Sequence, residues 1–185
     1  IDTAEAYGFG RSERIVGRAL AGRRDEAYVA TKYFPIVPIP GLVQRHGTGS
    51  AKRLEVEQID LYQVHQPNPV IPARLLMAEM RSLPENGVVA DVGVSNCCVG
   101  RGQAAQHALG SRVLSNQVKY SLVDRGPESD LIPWAQTNER LIIAWSPVAP
   151  GVLSTRYDAD HRPAGSVRRA NPVFLPENLR RAAPL

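Results

Sequence analysis

Apolar positions along the chain follow two alternating rhythms. Compact runs rich in Val and Ile recur at 28–31, 59–64, 92–95, 113–120 and 141–145, the pattern of parallel strands buried on both faces. Amphipathic stretches lie between them. Ser12 predicts an N-cap, with Glu13 in a first turn whose dipole favours negative charge. Ile15, Val16, Ala19 and Leu20 then share one face, and Gly22 supplies a stop. Pro72 opens another helix with Leu75, Leu76, Met80 and Leu83 facing inward. Further helices are predicted over 99–109 and 129–138, the latter with Pro133 near its first turn, where proline is best tolerated. Strand starts recur roughly every 25–30 residues, about one strand-plus-helix unit. The fold class is therefore α/β, a parallel sheet covered by helices. Periodicity alone leaves open whether that sheet is doubly wound or closed into a barrel.

Two stretches break the rhythm. Residues 41–54 should carry a helix, yet they contain Gly47-Thr48-Gly49. Each interior glycine costs about 1 kcal/mol relative to alanine, which predicts a helix that is short, displaced or frayed there. Residues 158–176 read as a long loop rich in Arg, Pro, Gly and Asp, and residues 177–185 as the start of a helix.

Composition narrows the function classes. With 43% hydrophobic and 22% charged residues, the chain is an ordinary globular one. No apolar run is long enough for a membrane helix. The net charge of +4 comes partly from arginine pairs, Arg23-Arg24, Arg168-Arg169 and Arg180-Arg181. These are scattered beside turns rather than ranged along one face, so they read as solvated surface and not as a nucleic-acid footprint. Cys97 and Cys98 are the only cysteines, and they are adjacent. Neighbouring cysteines close no loop and seldom satisfy disulfide geometry, which fits a reducing, cytoplasmic compartment. Their expected role is small apolar packing. No ligand spacing for a metal occurs. His46, His107 and His161 carry no assigned role.

Polar and aromatic residues gather where the strands end: Lys32, His65, Ser95-Asn96, Gln117 and Trp145-Ser146, with Asp2 placed as though it closed a preceding strand. Ligands of parallel α/β proteins bind at that edge. Asp2, Tyr7, Lys32 and His65 are bland singly but fit one chemistry together. A tyrosine, with pKa near 10, is a weak acid at neutrality. A lysine ammonium beside it favours the phenolate, and a carboxylate would hold that ammonium charged and in place. A histidine could orient a carbonyl. The expected product is a general acid for a nascent alkoxide.

At these residues the sequence resembles the aldo-keto reductase family. Ile1-Asp2-Thr3-Ala4-Glu5-Ala6-Tyr7-Gly8, Ala30-Thr31-Lys32 and Ile59-Asp60-Leu61-Tyr62-Gln63-Val64-His65 match its aspartate–tyrosine, lysine and histidine segments. Gly93-Val94-Ser95-Asn96, Asn116-Gln117-Val118-Lys119-Tyr120-Ser121 and Ala144-Trp145-Ser146-Pro147 match others, in the expected order. The resemblance implies a (β/α)₈ TIM barrel with parallel strands. It also implies NADPH as cofactor and a small-molecule carbonyl substrate. By position, Tyr7 would be the general acid, with Lys32 tuning it, Asp2 pairing with Lys32 and His65 placing the carbonyl. Ser95, Asn96 and Gln117 would bind the nicotinamide carboxamide. Trp145 would stack on its ring, where other members often have tyrosine. Ser146, Pro147, Val148, Gly151 and Leu153 would line the pyrophosphate side.

A complete barrel of this kind needs about 250 residues, so the chain reads as a barrel cut short at both ends. A first strand, an eighth strand and the basic segment that grips the 2′-phosphate have no counterpart. Pro38-Ile39-Pro40-Gly41 has a similar spelling but follows Lys32, and is discounted. Expressed alone, such a piece should aggregate or fold partly and bind NADPH weakly, because opening a barrel exposes strand edges and apolar interior. Two other functions remain open: a non-catalytic NADPH-binding regulatory relative like the potassium-channel β subunits, and an inactive fragment. The physiological substrate and the oligomeric state are not legible.

Overall fold

In the computed structural model the described residues are 1–36, 39, 41–154, 156–165 and 170–183. Pro38, Pro40 and the Arg168-Arg169 pair lie outside them. Five strands form one sheet in the order β1-β2-β3-β4-β5: β1 Ala30–Tyr33, β2 Ile59–Val64, β3 Val89–Ser95, β4 Val113–Lys119 and β5 Leu141–Trp145. The first four pair in parallel, with Ala30 beside Leu61, Leu61 beside Asp91 and Ser95 beside Gln117. Asp2 adds a single parallel bridge to Ala30. Spatial order follows chain order without reversal, as in the wall of a barrel; a doubly wound sheet reverses direction at its switch point.

Helices fill the intervals: α1 Arg11–Leu20, α2 Leu42–Leu54, α3 Ala73–Glu85, α4 Val99–Leu109, α5 Leu131–Thr137 and α6 Pro176–Ala182. No helix among the described residues is long and apolar enough to cross a membrane. The chain divides into two compact units, one of Ile1–Gln117 with Trp134–Ile143, the other of Val118–Pro133 with Ala144–Leu185. The core of the first joins β1 to β4 with α1 to α4 through Tyr33, Leu54, Tyr62, Met77, Met80 and Leu109. The second gathers around Phe174, with Val152, Leu179 and Ala182.

Four expectations are corrected. Gly10, in the left-handed region, caps α1; Ser12 instead accepts a hydrogen bond from the Thr3 hydroxyl at 2.8 Å. The buried face of α1 is Glu13, Gly17 and Leu20, while Ile15 is exposed. Leu75 likewise points out of α3, where Met77 takes its place in the core.

The fourth correction is the largest. Helix α2 runs unbroken through Gly47-Thr48-Gly49. Gly47 is buried against α3, where a Cβ would come within 2.8 Å of a Leu83 methyl. The missing side chain lets the two helices approach, and packing of Leu83 outweighs the propensity cost. Gly17 does the same for α1, with the Leu54 carbonyl 2.7 Å from where its Cβ would stand. Beneath that contact Glu13, wholly buried, accepts from Thr31 Oγ1 at 2.7 Å and pairs with Arg53 Nε at 2.5 Å. A buried carboxylate needs such partners.

The contacts at Gly17 and Gly47 predict unequal responses to alanine. Gly17→Ala meets backbone, which cannot rotate away, and should destabilise by about 1–3 kcal/mol. Gly47→Ala meets a side-chain tip and should cost less. Gly102→Ala in α4 meets nothing within 4 Å and should stabilise by about 0.4–1 kcal/mol. Denaturant midpoints of the three variants check this order.

Candidate functional site

Strand β1 delivers Lys32 into the interior with no exposed side-chain surface. An ammonium there must find oxygen partners. It donates to Asp2 Oδ2 at 2.6 Å and to the Thr3 carbonyl at 2.8 Å. Asp2 Oδ1 accepts from Gln117 Nε2 at 3.0 Å. The carboxylate thus ties the segment before α1 to β1 and to the end of β4.

Tyr7 lies on the turn before α1 and is 45% exposed. Lys32 Nζ stands 5.4 Å from the centre of its ring, and the His65 ring meets it edge-on at 5.8 Å. Phe34 flanks His65 from another side, also edge-on, at 5.5 Å. The structure therefore gathers Asp2, Tyr7, Lys32 and His65 around one point.

Burial pushes the Lys32 ammonium below its ordinary value, and the Asp2 hydrogen bond opposes this. Burial also lowers His65, as does nearby Lys32, so the ring is neutral near pH 7. Its Nδ1 is buried without a hydrogen-bond partner. Tyr7 corrects an expectation. Its phenol is raised above 10.0, first by burial and then by the Asp2 charge. The ammonium expected to lower it is turned toward Asp2 and Thr3.

At the ends of β3 and β4, Ser95 Oγ donates to the Gln117 carbonyl at 2.8 Å, and the Asn96 N–H donates to the same oxygen at 2.8 Å. Asn96 adopts a left-handed backbone, which asparagine tolerates better than most residues. Its side-chain amide is exposed and reaches Ser95 Oγ at 3.1 Å. The Ser95 hydroxyl and the Asn96 amide thus meet at the Gln117 main chain, while the Gln117 side-chain amide is turned to Asp2; hydroxyl and amide together offer donor and acceptor atoms to a carboxamide.

Trp145, Ser146, Pro147, Val148, Gly151 and Leu153 belong to the other unit. Trp145 ends β5 partly exposed, and Ser146 is left-handed. The following turn is closed internally: the N–H groups of Ala149, Gly151 and Leu153 donate to Ser146, Val148 and Val148 carbonyls.

Some participants were not legible in the sequence. Glu5, between Asp2 and Tyr7, pairs with His46 Nδ1 at 2.5 Å and with Arg53 Nη2 at 3.0 Å. His46, given no role by sequence, thus ties the Tyr7 segment to α2. Phe34 was likewise unforeseen; its place directly after β1 was the available signal. Cys97 is buried with its thiol pushed up to about 11, so it is a packing residue and not a thiolate, whereas Cys98 is exposed. No cluster of metal-ligating side chains occurs among the described residues.

Comparison with known proteins follows the same lines. The chain matches the aldo/keto reductase family over residues 1–185. It is 47% identical over 184 residues to an uncharacterized oxidoreductase of Mycobacterium tuberculosis, covering 100% of this chain and 57% of that protein. The glycerol dehydrogenase structure from Gluconobacter oxydans superposes with a TM-score of 0.88 at 29% identity, over 98% of this chain and 59% of its own. An aldo-keto reductase from Klebsiella pneumoniae in complex with NADPH gives 0.74 at 33% identity, over 80% of this chain and 52% of its own. The chain spans little more than half the length of these relatives.

Asp2 raises both Lys32 and Tyr7. Asp2→Asn should therefore lower the pKa of both groups together. Lysine side-chain NMR and the ultraviolet titration of tyrosine, with Tyr7→Phe as the assignment control, check it; a rise in either value contradicts the geometry.

Proposed function

Because the chain belongs to the aldo/keto reductase family, we propose that it forms part of an NADPH-dependent oxidoreductase reducing aldehydes or ketones to alcohols, with Tyr7 as general acid. The observation that carries this reading is the fully buried Lys32 ammonium, held by Asp2 beside Tyr7 and His65. A lysine is taken out of water at considerable cost. Placing that charge beside a phenol and a neutral imidazole suits a site where negative charge develops on oxygen.

The donor set fits the cofactor. Ser95, Asn96 and Gln117 would hold the nicotinamide carboxamide; in the other unit, family resemblance assigns ring stacking to Trp145. Ser146, Pro147, Val148, Gly151 and Leu153 would flank the pyrophosphate. NADPH, when bound, supplies a hydride.

The chain's own groups handle the proton. His65, neutral near pH 7, orients the carbonyl. Tyr7 gives its hydroxyl proton to the carbonyl oxygen as that oxygen becomes an alkoxide. Its raised pKa keeps the proton on the phenol at neutrality, so transfer follows the rising basicity of the oxygen rather than prior ionisation of the tyrosine. Lys32 offsets the phenolate left behind, and Asp2 holds Lys32. The adjacent free cysteines suit a reducing compartment, and we place the protein in the cytoplasm on that ground.

In the protein that contains this chain, Tyr7→Phe should lower turnover of 4-nitrobenzaldehyde about 10²–10⁴-fold while leaving NADPH binding, read by fluorescence, nearly intact. Equal loss of both would remove Tyr7 from this role. Reduction consumes the protonated phenol, whose pKa lies above 10.0. The reduction rate should accordingly stay level through neutral pH and decline only above that value.

A further inference from the structure

A cavity lined by none of Asp2, Tyr7, Lys32 and His65 lies within the first unit. It has a volume of about 270 Å³, close to the lower limit of small-molecule pockets, about 300 Å³. Val64 and Val94, near the ends of β2 and β3, form its floor. Leu76 and Met77 of α3 and Ala104 of α4 supply apolar walls. Among the described residues, Arg101 is the one charged residue lining it, and no carboxylate does.

Two features give this cavity a preference for negative charge, and a third sets its shape. Arg101 is exposed and makes no hydrogen bond or ion pair within the described residues. The adjoining helices α3 and α4 both begin there, at Pro72-Ala73 and just before Arg101, and neither has a side-chain cap. Among the described residues, then, neither N-cap side chain answers the positive end of its helix. The entrance loop is also set in advance: Asn68 donates to the Pro35 carbonyl at 2.8 Å and accepts from the Val70 and Ile71 N–H groups at 2.7 and 2.9 Å. A preformed apolar pocket with a cationic edge suits a ligand with a short hydrocarbon body and one anionic end.

We infer that this cavity between α3 and α4 binds a small amphiphilic monocarboxylate, its carboxylate on Arg101 and its hydrocarbon body against Val64, Leu76, Met77 and Val94. The inference is independent of the catalytic reading, since it uses none of the four catalytic candidates. A bidentate guanidinium–carboxylate contact supplies direction, and burial of the chain supplies affinity.

Octanoate is the probe, titrated calorimetrically and by methyl NMR, with octanol as its uncharged counterpart. Octanoate should bind saturably and shift the methyl signals of Val64, Leu76, Met77 and Val94, leaving Leu179 in the other unit unmoved. Octanol should bind at least about 10-fold more weakly, and Arg101→Gln should weaken octanoate by a similar factor, the scale of one charge-assisted contact. Ala104→Trp, a change at an exposed lining position, should fill the mouth and abolish binding while circular dichroism stays unchanged. Binding that does not saturate, equal affinity for octanol, or indifference to Arg101→Gln overturns the assignment. The NMR shifts decide the location even if the tryptophan variant fails to fold.

Discussion

An ammonium with no exposed surface has to be answered by negative charge, and the position of that answer organises the first unit. Lys32 reaches the interior because β1 is buried along its whole length. Asp2 meets it from the adjoining extended segment, and Gln117 reaches Asp2 from β4. One carboxylate therefore links parts of the chain 30 and 115 residues apart. Tyr7 follows in the same segment as Asp2, so the pairing that neutralises the lysine also brings the phenol alongside it.

A second layer of charge supports this arrangement from behind. Glu5 is held by His46 and Arg53 of α2, and Arg53 also satisfies the buried Glu13 of α1. The segment from Asp2 to Tyr7 is thus anchored at two points, to β1 at Asp2 and to α2 at Glu5. Such anchoring matters for proton transfer, because efficiency depends on holding donor and acceptor in register. It also explains why a surface turn carrying a 94% exposed Phe9 can present Tyr7 in a defined place.

Strand positions were readable because they depend on local pattern. Apolar runs of Val and Ile located β2 and β5 to the residue, and polar residues at the run ends located the candidate site. β1 lies two residues beyond its expected start, at Ala30: Tyr28 faces solvent, and Val29, though buried, gives its N–H to the Asp60 carboxylate rather than to a strand carbonyl. What escaped the sequence reading depends on contacts between distant segments. Glu13 was read as a charge answering the first-turn dipole, and Thr31 and Arg53, 18 and 40 residues away, are what make its burial tolerable. Gly47 looked like a helix breaker, and only Leu83 across the interface shows why glycine stands there. The direction of the Tyr7 shift was misjudged similarly: charge types were visible, but the orientation of the ammonium toward Asp2 was not.

The two glycine contacts leave different marks on how the chain can diverge. At Gly47 the obstacle is a leucine tip, so volume can be exchanged: a larger residue at 47 becomes tolerable when 83 shrinks. Relatives should show those two positions varying as a pair. At Gly17 the obstacle is the Leu54 main chain, which every amino acid possesses. No substitution elsewhere can make room, and drift at position 17 would require the two helices to separate, taking with them the Arg53–Glu13 pair beneath. One glycine is a negotiable boundary and the other a fixed point, although composition and helix propensity make them look the same.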